Sequence, residues 1–246
     1  MSTAVIADDG FRYGLGAFET IGVENGRLAL LDDHLARLSR AAAFLELPMD
    51  EAALRIEAGR QALAQGGARG RHALRLTLTA RNTLFELRPN PYGLDELHRG
   101  LSCCIGRLRR NPHAPLTFHK TLCCGDSILE KRHARRQGFD EPLLLSTEGR
   151  LCEGAVTNVF LLTDDGLVTP SVKSGLLPGT MRAWVMRRTE VTEREVDPRE
   201  LLQAREVLLT NALMGIAHVR ALDGRALPCA GLAHALRDAY LREARG

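Results

Sequence analysis

Residues 17–30, AFETIGVENGRLAL, constrain the fold more than any other stretch of this chain. They form two apolar-rich runs broken by Asn25-Gly26. Asn-Gly between two strand-like runs is a strong hairpin signal, because both residues tolerate the positive φ angles that a tight type I′ turn demands. The period then changes. LDDHLARLSRAAAFLEL sets Leu35, Leu38, Ala42 and Leu45 at helical spacing, with Asp32 or Asp33 available as the cap. MDEAALRIEAGRQALAQG reads as a second amphipathic helix ending in Gly, HALRLTLTAR alternates as a strand, and GLSCCIGRLRR is another strand. NPHAP reads as a linker after it.

The second half has a different rhythm. A strand-like PLTF leads to Lys120, and SILEKRHARRQG forms a helix stopped by Gly138. EPLLLST, CEGAVTNVFLLT and LVTPSV are three strands separated by the turn formers EGR and DDG. GLLPGTMRAWVMRR is a loop opening into a helix, REVLLTNALMGIAHVRALDG gives two strands around a loop, and AGLAHALRDAYLREA closes the chain as a helix. The reading is an α/β (α+β) protein of two domains with a boundary near 107–115: a smaller N-terminal domain over 1–110 and a larger one over 111–246. The basic run GRLRRNPH at 106–113 fits a solvated connection between them.

A net charge of +3 with scattered basic residues points away from nucleic acid, and no apolar run approaches the length of a membrane span. The start, MSTAVIADDGFRYG, lacks a basic region followed by an apolar core, so it does not read as a signal peptide. Six cysteines at 103, 104, 123, 124, 152 and 229 show no zinc spacing and read as reduced thiols of a cytoplasmic protein. His34, His113, His119 and His133 lack metal-ligand spacing, so no metal is expected.

Lysine is rare here. Thirty-three Lys plus Arg include lysine only at 120, 131 and 173, the rest being arginine. Lys120 follows an apolar segment, where burial would depress its pKa and favour the neutral amine needed for Schiff-base chemistry. An edge lysine reaching back to water is the alternative. Glu153 sits in a small, apolar strand, where an acid requires a cation, a metal or a protonated cofactor atom as partner; a solvent-facing turn glutamate is the other reading. Thr157 and Asn158 add polar groups to the same run. Gly175 and Gly179 precede a helix start near Thr180, and such a start binds anions through its free amides. LLTNALMG at 208–215 offers another polar loop, and Arg37, one turn from His34, suits a phosphate clamp or else lies on the helix surface.

In the order YGLGAFETIGVENG, DDHLARL, FHKTL, EGAVTNVF, GLLPGTMR and LLTNALMG, these stretches resemble the class IV aminotransferases, the fold-type IV pyridoxal phosphate enzymes, over essentially the whole length. The resemblance implies a two-domain fold with pyridoxal 5'-phosphate between the domains, and a homodimer acting on a small-molecule substrate. Lys120 would form the imine with the cofactor and shuttle the proton. Glu153 would hold the proton on the pyridine nitrogen, with Asn158 nearby. Arg37 would hold the phosphate with the amides of Thr180 and Met181 and the loop at Thr210, Asn211 and Ala212. Phe18 would line the substrate pocket. Arginine cannot replace the lysine, because its guanidinium stays protonated.

Within the family, TNALMGIAHV is most similar to aminodeoxychorismate lyase, and Thr20 in FETI lies where that enzyme has a threonine assisting proton transfer. The implied reaction converts 4-amino-4-deoxychorismate to 4-aminobenzoate and pyruvate, a step of folate precursor supply. The alternative is a transaminase of D-amino acids or branched-chain L-amino acids. Leu15 replaces the family's usual Asp, and the loop RNTLFELRPNPYG, after the strand ending at Arg81, matches neither the arginine-rich substrate loop of the lyase nor that of the D-amino acid enzyme. Arg81 and Arg88 are the candidate carboxylate binders there.

Overall fold

A computed structural model describes residues 5–64 and 69–245. Contacts divide the chain into two compact units, one of Met1–Pro91, His119–Cys124 and Glu243–Gly246, the other of Tyr92–Phe118 and Gly125–Arg242.

The first unit opens with a short helix α1 (Asp9–Tyr13), capped by the Asp8 carboxylate on Gly10 and Phe11 N–H. The same carboxylate accepts from Thr79 Oγ1, Arg81 N–H and Asn82 Nδ2, so it also pins the end of a later strand. β1 (Ala17–Glu24) and β2 (Arg27–Leu28) pair antiparallel through a two-residue turn at Asn25-Gly26, both at positive φ, as the sequence predicts. α2 (Leu31–Phe44) and α3 (Glu51–Leu63) follow. Asp32 and Asp33 do not cap α2. They lie in its first turn, where they favour the helix dipole, while Leu30 takes the cap position at φ 52. Asp50 caps α3; the glycine expected to end that helix, Gly66, lies outside the described residues.

β3 (Arg71–Leu78) and β4 (Thr83–Pro89) complete a four-stranded antiparallel sheet in the order β2-β1-β3-β4. Alternation sends Ala17, Ile21, Val23, Leu74, Leu76 and Leu78 to the helix-covered face, where Ala17, Leu76 and Leu78 pack with Leu35, Leu38, Ala41, Ala42 and Leu54, and Ile21, Val23 and Leu74 with Ala58 and Ala62 of α3. Phe18, Thr20, Arg75 and Thr77 take the opposite face, paired Phe18 with Thr77 and Thr20 with Arg75.

The second unit contains α4 (Leu94–Arg99), β5 (Leu101–Arg110), α5 (Gly125–Arg136), β6 (Glu141–Ser146), β7 (Leu151–Gly154), β8 (Asn158–Thr163) and β9 (Gly166–Pro170). It continues with α6 (Thr180–Arg188), β10 (Val191–Arg194), β11 (Glu206–Asn211), β12 (Gly215–Leu222), β13 (Arg225–Ala226) and α7 (Leu232–Arg245). Its mixed sheet runs β10-β9-β8-β11-β12-β5-β6-β7, with β13 on β12. The core gathers Leu143, Val159, Leu161, Leu209, Ala217 and Val219 with Leu97 and Leu201.

Two local expectations fail. The basic run is not a connection: β5 continues to Arg110, where Arg109 and Arg110 pair with Leu145 and Ser146 after a register shift. PLTF is not a strand but a 3-10 turn, closed by Thr117 N–H on Ala114 O and Thr117 Oγ1 on Asn111 O. Among the described residues no helix is long and apolar enough to cross a membrane. All six cysteines are free thiols.

Candidate active site

The residues singled out by sequence fall into two clusters, one in each unit. In the first unit, the segment 119–124 is stitched alongside the start of β1. Phe18 N–H donates to Lys120 O at 3.0 Å, Leu122 N–H donates to Gly16 O at 2.8 Å, and Thr121 bridges Ala17. This fixes the backbone of Lys120. Its side chain turns to the Phe18 ring, with Nζ 4.5 Å from the centroid. Neighbouring His119 goes elsewhere, stacking on Phe44 at 4.2 Å between centroids.

Lys120 makes no ion pair with a carboxylate among the described residues. Burial, then the positive charge of Arg37, pushes its pKa down to about 8, against a weaker opposing pull from Glu19. The edge-lysine reading therefore gives way to a desolvated amine.

Arg37 is not on the helix surface. It is 6% exposed, on the same buried stripe of α2 as His34, Leu35 and Leu38. Opposite them on β1 is Glu19, fully buried, which the sequence reading missed. Its carboxylate accepts from Arg37 Nε at 2.8 Å and NH2 at 2.6 Å, and from His34 Nδ1 at 2.6 Å. Burial acts to raise the Glu19 carboxyl, but the Arg37 charge and then His34 outweigh it and hold it well below the usual carboxylate range. Burial pushes His34 down, so its Nδ1–H donates from a neutral ring. The i, i+3 spacing of His34 and Arg37 puts both on one helix face, where Glu19 meets them.

The second missed residue is Arg75. Its guanidinium lies over the same Phe18 ring as Lys120, 3.9 Å from the centroid. It is half-buried, it forms no ion pair among the described residues, and burial pushes its pKa down. Thr20 is its register partner on β1. Arg81, by contrast, is exposed and ties its backbone to Asp8. Arg88 is exposed on β4, two residues beyond Glu86, the register partner of Arg75. Strand alternation made Arg75 look like an ordinary solvent-side residue of HALRLTLTAR.

In the second unit, Glu153 on β7 is 8% exposed and does not face solvent. Its Oε1 pairs with Arg110 Nε at 3.0 Å, and its Oε2 accepts Leu177 N–H at 3.0 Å. Leu177 O in turn accepts from Asn158 Nδ2 at 2.8 Å, so the loop before α6 is held between the acid and the amide. Gly179 closes against Asn158, whose Oδ1 leaves no room for a Cβ there. Helix α6 starts at Thr180 with no side chain capping its first amides, while Met181 is buried in the core. Thr210 pairs with Asn158 across β11 and β8, and its buried Oγ1 has no hydrogen-bond partner among the described residues.

Asn211 has a structural task. Its Oδ1 accepts from Leu213 and Met214 N–H and its Nδ2 donates to the Tyr92 hydroxyl, so the side chain shapes the turn that contains Ala212. Thr157 likewise faces Glu141, not Glu153. An uncapped helix start, an orphaned hydroxyl and a glycine-tight loop beside an arginine-paired acid form a set of groups suited to a phosphate and a basic ring nitrogen.

Comparison with known proteins gives a consistent result. Residues 16–222 match the sequence profile of the amino-transferase class IV family. A probable branched-chain-amino-acid aminotransferase of Thermotoga maritima is 31% identical over 201 residues, covering 77% of this chain and 71% of the relative. A bifunctional aminodeoxychorismate lyase / D-amino acid transaminase of Mycobacterium tuberculosis is 28% identical, covering 87% and 84%. The structure of 4-amino-4-deoxychorismate lyase from Pseudomonas aeruginosa superposes with a TM-score of 0.87 at 30% identity, over 100% of this chain and 97% of that one.

Proposed function

Because the chain belongs to the class IV aminotransferases, enzymes that use pyridoxal 5'-phosphate, we propose that it is a lyase converting 4-amino-4-deoxychorismate to 4-aminobenzoate and pyruvate. The carrying observation is the arginine stacked beside the reactive amine: Arg75 and Lys120 share the Phe18 ring, and Thr20 lies opposite Arg75. A dianionic substrate whose amine must reach Lys120 suits a cation placed there without a carboxylate of its own. The full-length likeness to the Pseudomonas lyase supports the same reading.

When bound, the cofactor condenses with amines and takes up the electron pair released as a substrate bond breaks. The chain's own groups do the rest. With a pKa of about 8, about a tenth of Lys120 is neutral at pH 7, against roughly one part in 3,000 for an ordinary lysine. Its Nζ can therefore attack a carbonyl, and later take the proton from the amine-bearing carbon. Departure of that proton lets the C–O bond to the enolpyruvyl group break, the ring becomes aromatic, and the released enolate takes up a proton at carbon to give pyruvate. Glu153, paired with Arg110, would hold a proton at the ring nitrogen. In the second unit the start of α6 and Thr210 Oγ1 would hold the phosphate; in the first, Arg37, held by Glu19, would lend it positive charge. Phe18 excludes water from one side of Lys120, Arg75 takes a carboxylate, and the Thr20 hydroxyl assists the proton's transfer.

A transaminase is the second reading, favoured by the 31% identity to the Thermotoga protein. Holoenzyme incubated with 4-amino-4-deoxychorismate separates the two. Equal amounts of 4-aminobenzoate and pyruvate establish the lyase. Amino transfer from D- or branched-chain amino acids to a 2-oxo acid, with no 4-aminobenzoate from the other substrate, overturns it. The assignment extends to a homodimer in the cytoplasm, consistent with six unbridged thiols; light scattering should return about twice the 27.0 kDa chain mass.

A further inference from the structure

Away from the residues used above, the second unit gathers a group of side chains that the proposed reaction does not use. His218 from β12, Cys229 from the loop after β13 and His234 from the first turns of α7 each offer a ligand atom, and these lie within 4.8 Å of one another. His218 is 7% exposed, and its ring meets that of His234 edge-on at 5.0 Å between centroids. Both histidines keep a buried ring nitrogen, Nδ1 of His218 and Nε2 of His234, with no hydrogen-bond partner among the described residues. Two imidazoles in edge contact, each with a buried ring nitrogen left bare, are unusual in a packed protein and call for an occupant.

The surroundings suit a cation. Glu206, fully buried, accepts N–H bonds from Leu232 and Ala233 at the start of α7 and lies 3.7 Å from Cys229 Sγ. It fixes the loop and helix that supply two of the three ligands, and its charge with that of a Cys229 thiolate balances a divalent ion. Of the cations near His218, Arg237 is turned toward α4, donating to Leu97 O at 2.9 Å and to His98 Nδ1 at 2.9 Å, while Arg220 is exposed on β12. Cys229 is exposed, which leaves an entry path for an ion.

We propose that His218, Cys229 and His234 form a zinc site that clips α7 to β12. Two imidazoles and a thiolate are borderline-soft ligands matched to Zn²⁺, and tetrahedral ligands at zinc bond lengths sit about 3.3–3.6 Å apart, so closure requires shifts of only about 1 Å. Sequence reasoning could not find the site, because its ligands come from three separate elements with no motif spacing.

The test uses holoenzyme dialysed against chelator and then supplied with micromolar ZnCl₂. A single zinc ion per chain is expected by elemental analysis, falling to below about a tenth in Cys229→Ser and in His234→Gln. Cys123→Ser, which removes an exposed thiol elsewhere, should leave the content unchanged. Co²⁺ should give thiolate-dependent bands at the red end of the visible, where the pyridoxal chromophore is transparent. A readout free of any folding defect is alkylation of Cys229 in the unmutated protein, mapped by mass spectrometry: zinc should protect it and chelator should restore its reactivity. Unprotected Cys229, or zinc content unaltered in both ligand variants, would overturn the site.

Discussion

Two lysines of this chain, one in each unit, are both largely withdrawn from water, yet they have been driven in opposite directions. Lys131 on α5 is paired with Glu141 at 2.7 Å and lies within 3.4 Å of the Tyr92 hydroxyl. Burial alone would lower its pKa, but the Glu141 charge and then Tyr92 outweigh that and raise it. Lys120 has no such partner. Burial and Arg37 act together, Glu19 is already engaged by Arg37 and His34, and the amine falls to about 8. Desolvation is common to both. The arrangement of counter-charges decides whether a buried lysine is a structural cation or a reactive amine.

The comparison can be broken in order of effect. Lys120→Met should lower turnover by at least about 10³-fold, since both nucleophile and proton carrier vanish; steady-state assay checks this, and near-normal activity would remove Lys120 from the chemistry. Lys131→Met should leave activity per folded molecule intact but destabilise the protein by about 3–5 kcal/mol, because Glu141 is left buried without its cation. Urea midpoints at pH 7 measure it.

Lys120→Met should do the reverse to stability. In cofactor-free protein the folded amine releases its proton near pH 8, while the unfolded chain keeps it to about 10.4. Between those values the unfolded state binds more protons, so this group's contribution to stability rises with pH; below pH 8 the penalty is at its full value. Removing the charge should therefore add up to about 3 kcal/mol at pH 7, a gain that shrinks toward pH 10. A destabilised Lys120→Met at neutral pH contradicts the comparison. The smallest effect concerns substrate binding. Arg75→Met should raise KM by about 10- to 100-fold with a lesser change in kcat, and exposed Arg88→Met by less than about threefold. Equal losses would move the carboxylate site outward to β4.

Local features of this fold were readable from sequence, and features made by distant elements were not. The Asn25-Gly26 turn, the helical stripe from Leu35 to Ala42 and the glycine-bounded start of α6 are written in neighbouring residues. Lys120 and Glu153 stood out because each is chemically out of place in its segment. Glu19 and Arg75 did not, since a strand alternates polar and apolar residues anyway, and only pairing across β1, β3 and α2 reveals which polar position is buried against what. Arg110 was read as part of a basic connection, although it is the cation that Glu153 requires. The apolar character of Pro115–Phe118 fits a strand as well as a 3-10 turn, and the bond that decides between them runs from Thr117 to Asn111.

In the proposed reaction Lys120 is the amine that reacts with pyridoxal phosphate. The most direct measurement is borohydride reduction of the holoenzyme, followed by proteolysis and mass mapping of the phosphopyridoxyl group. With lysine only at 120, 131 and 173, the assignment is clean. Stoichiometric labelling of the peptide bearing Lys120, with Lys131 and Lys173 unmodified, is the predicted result. A label on Lys131 or Lys173, or none on a chain that retains the cofactor, would contradict the account.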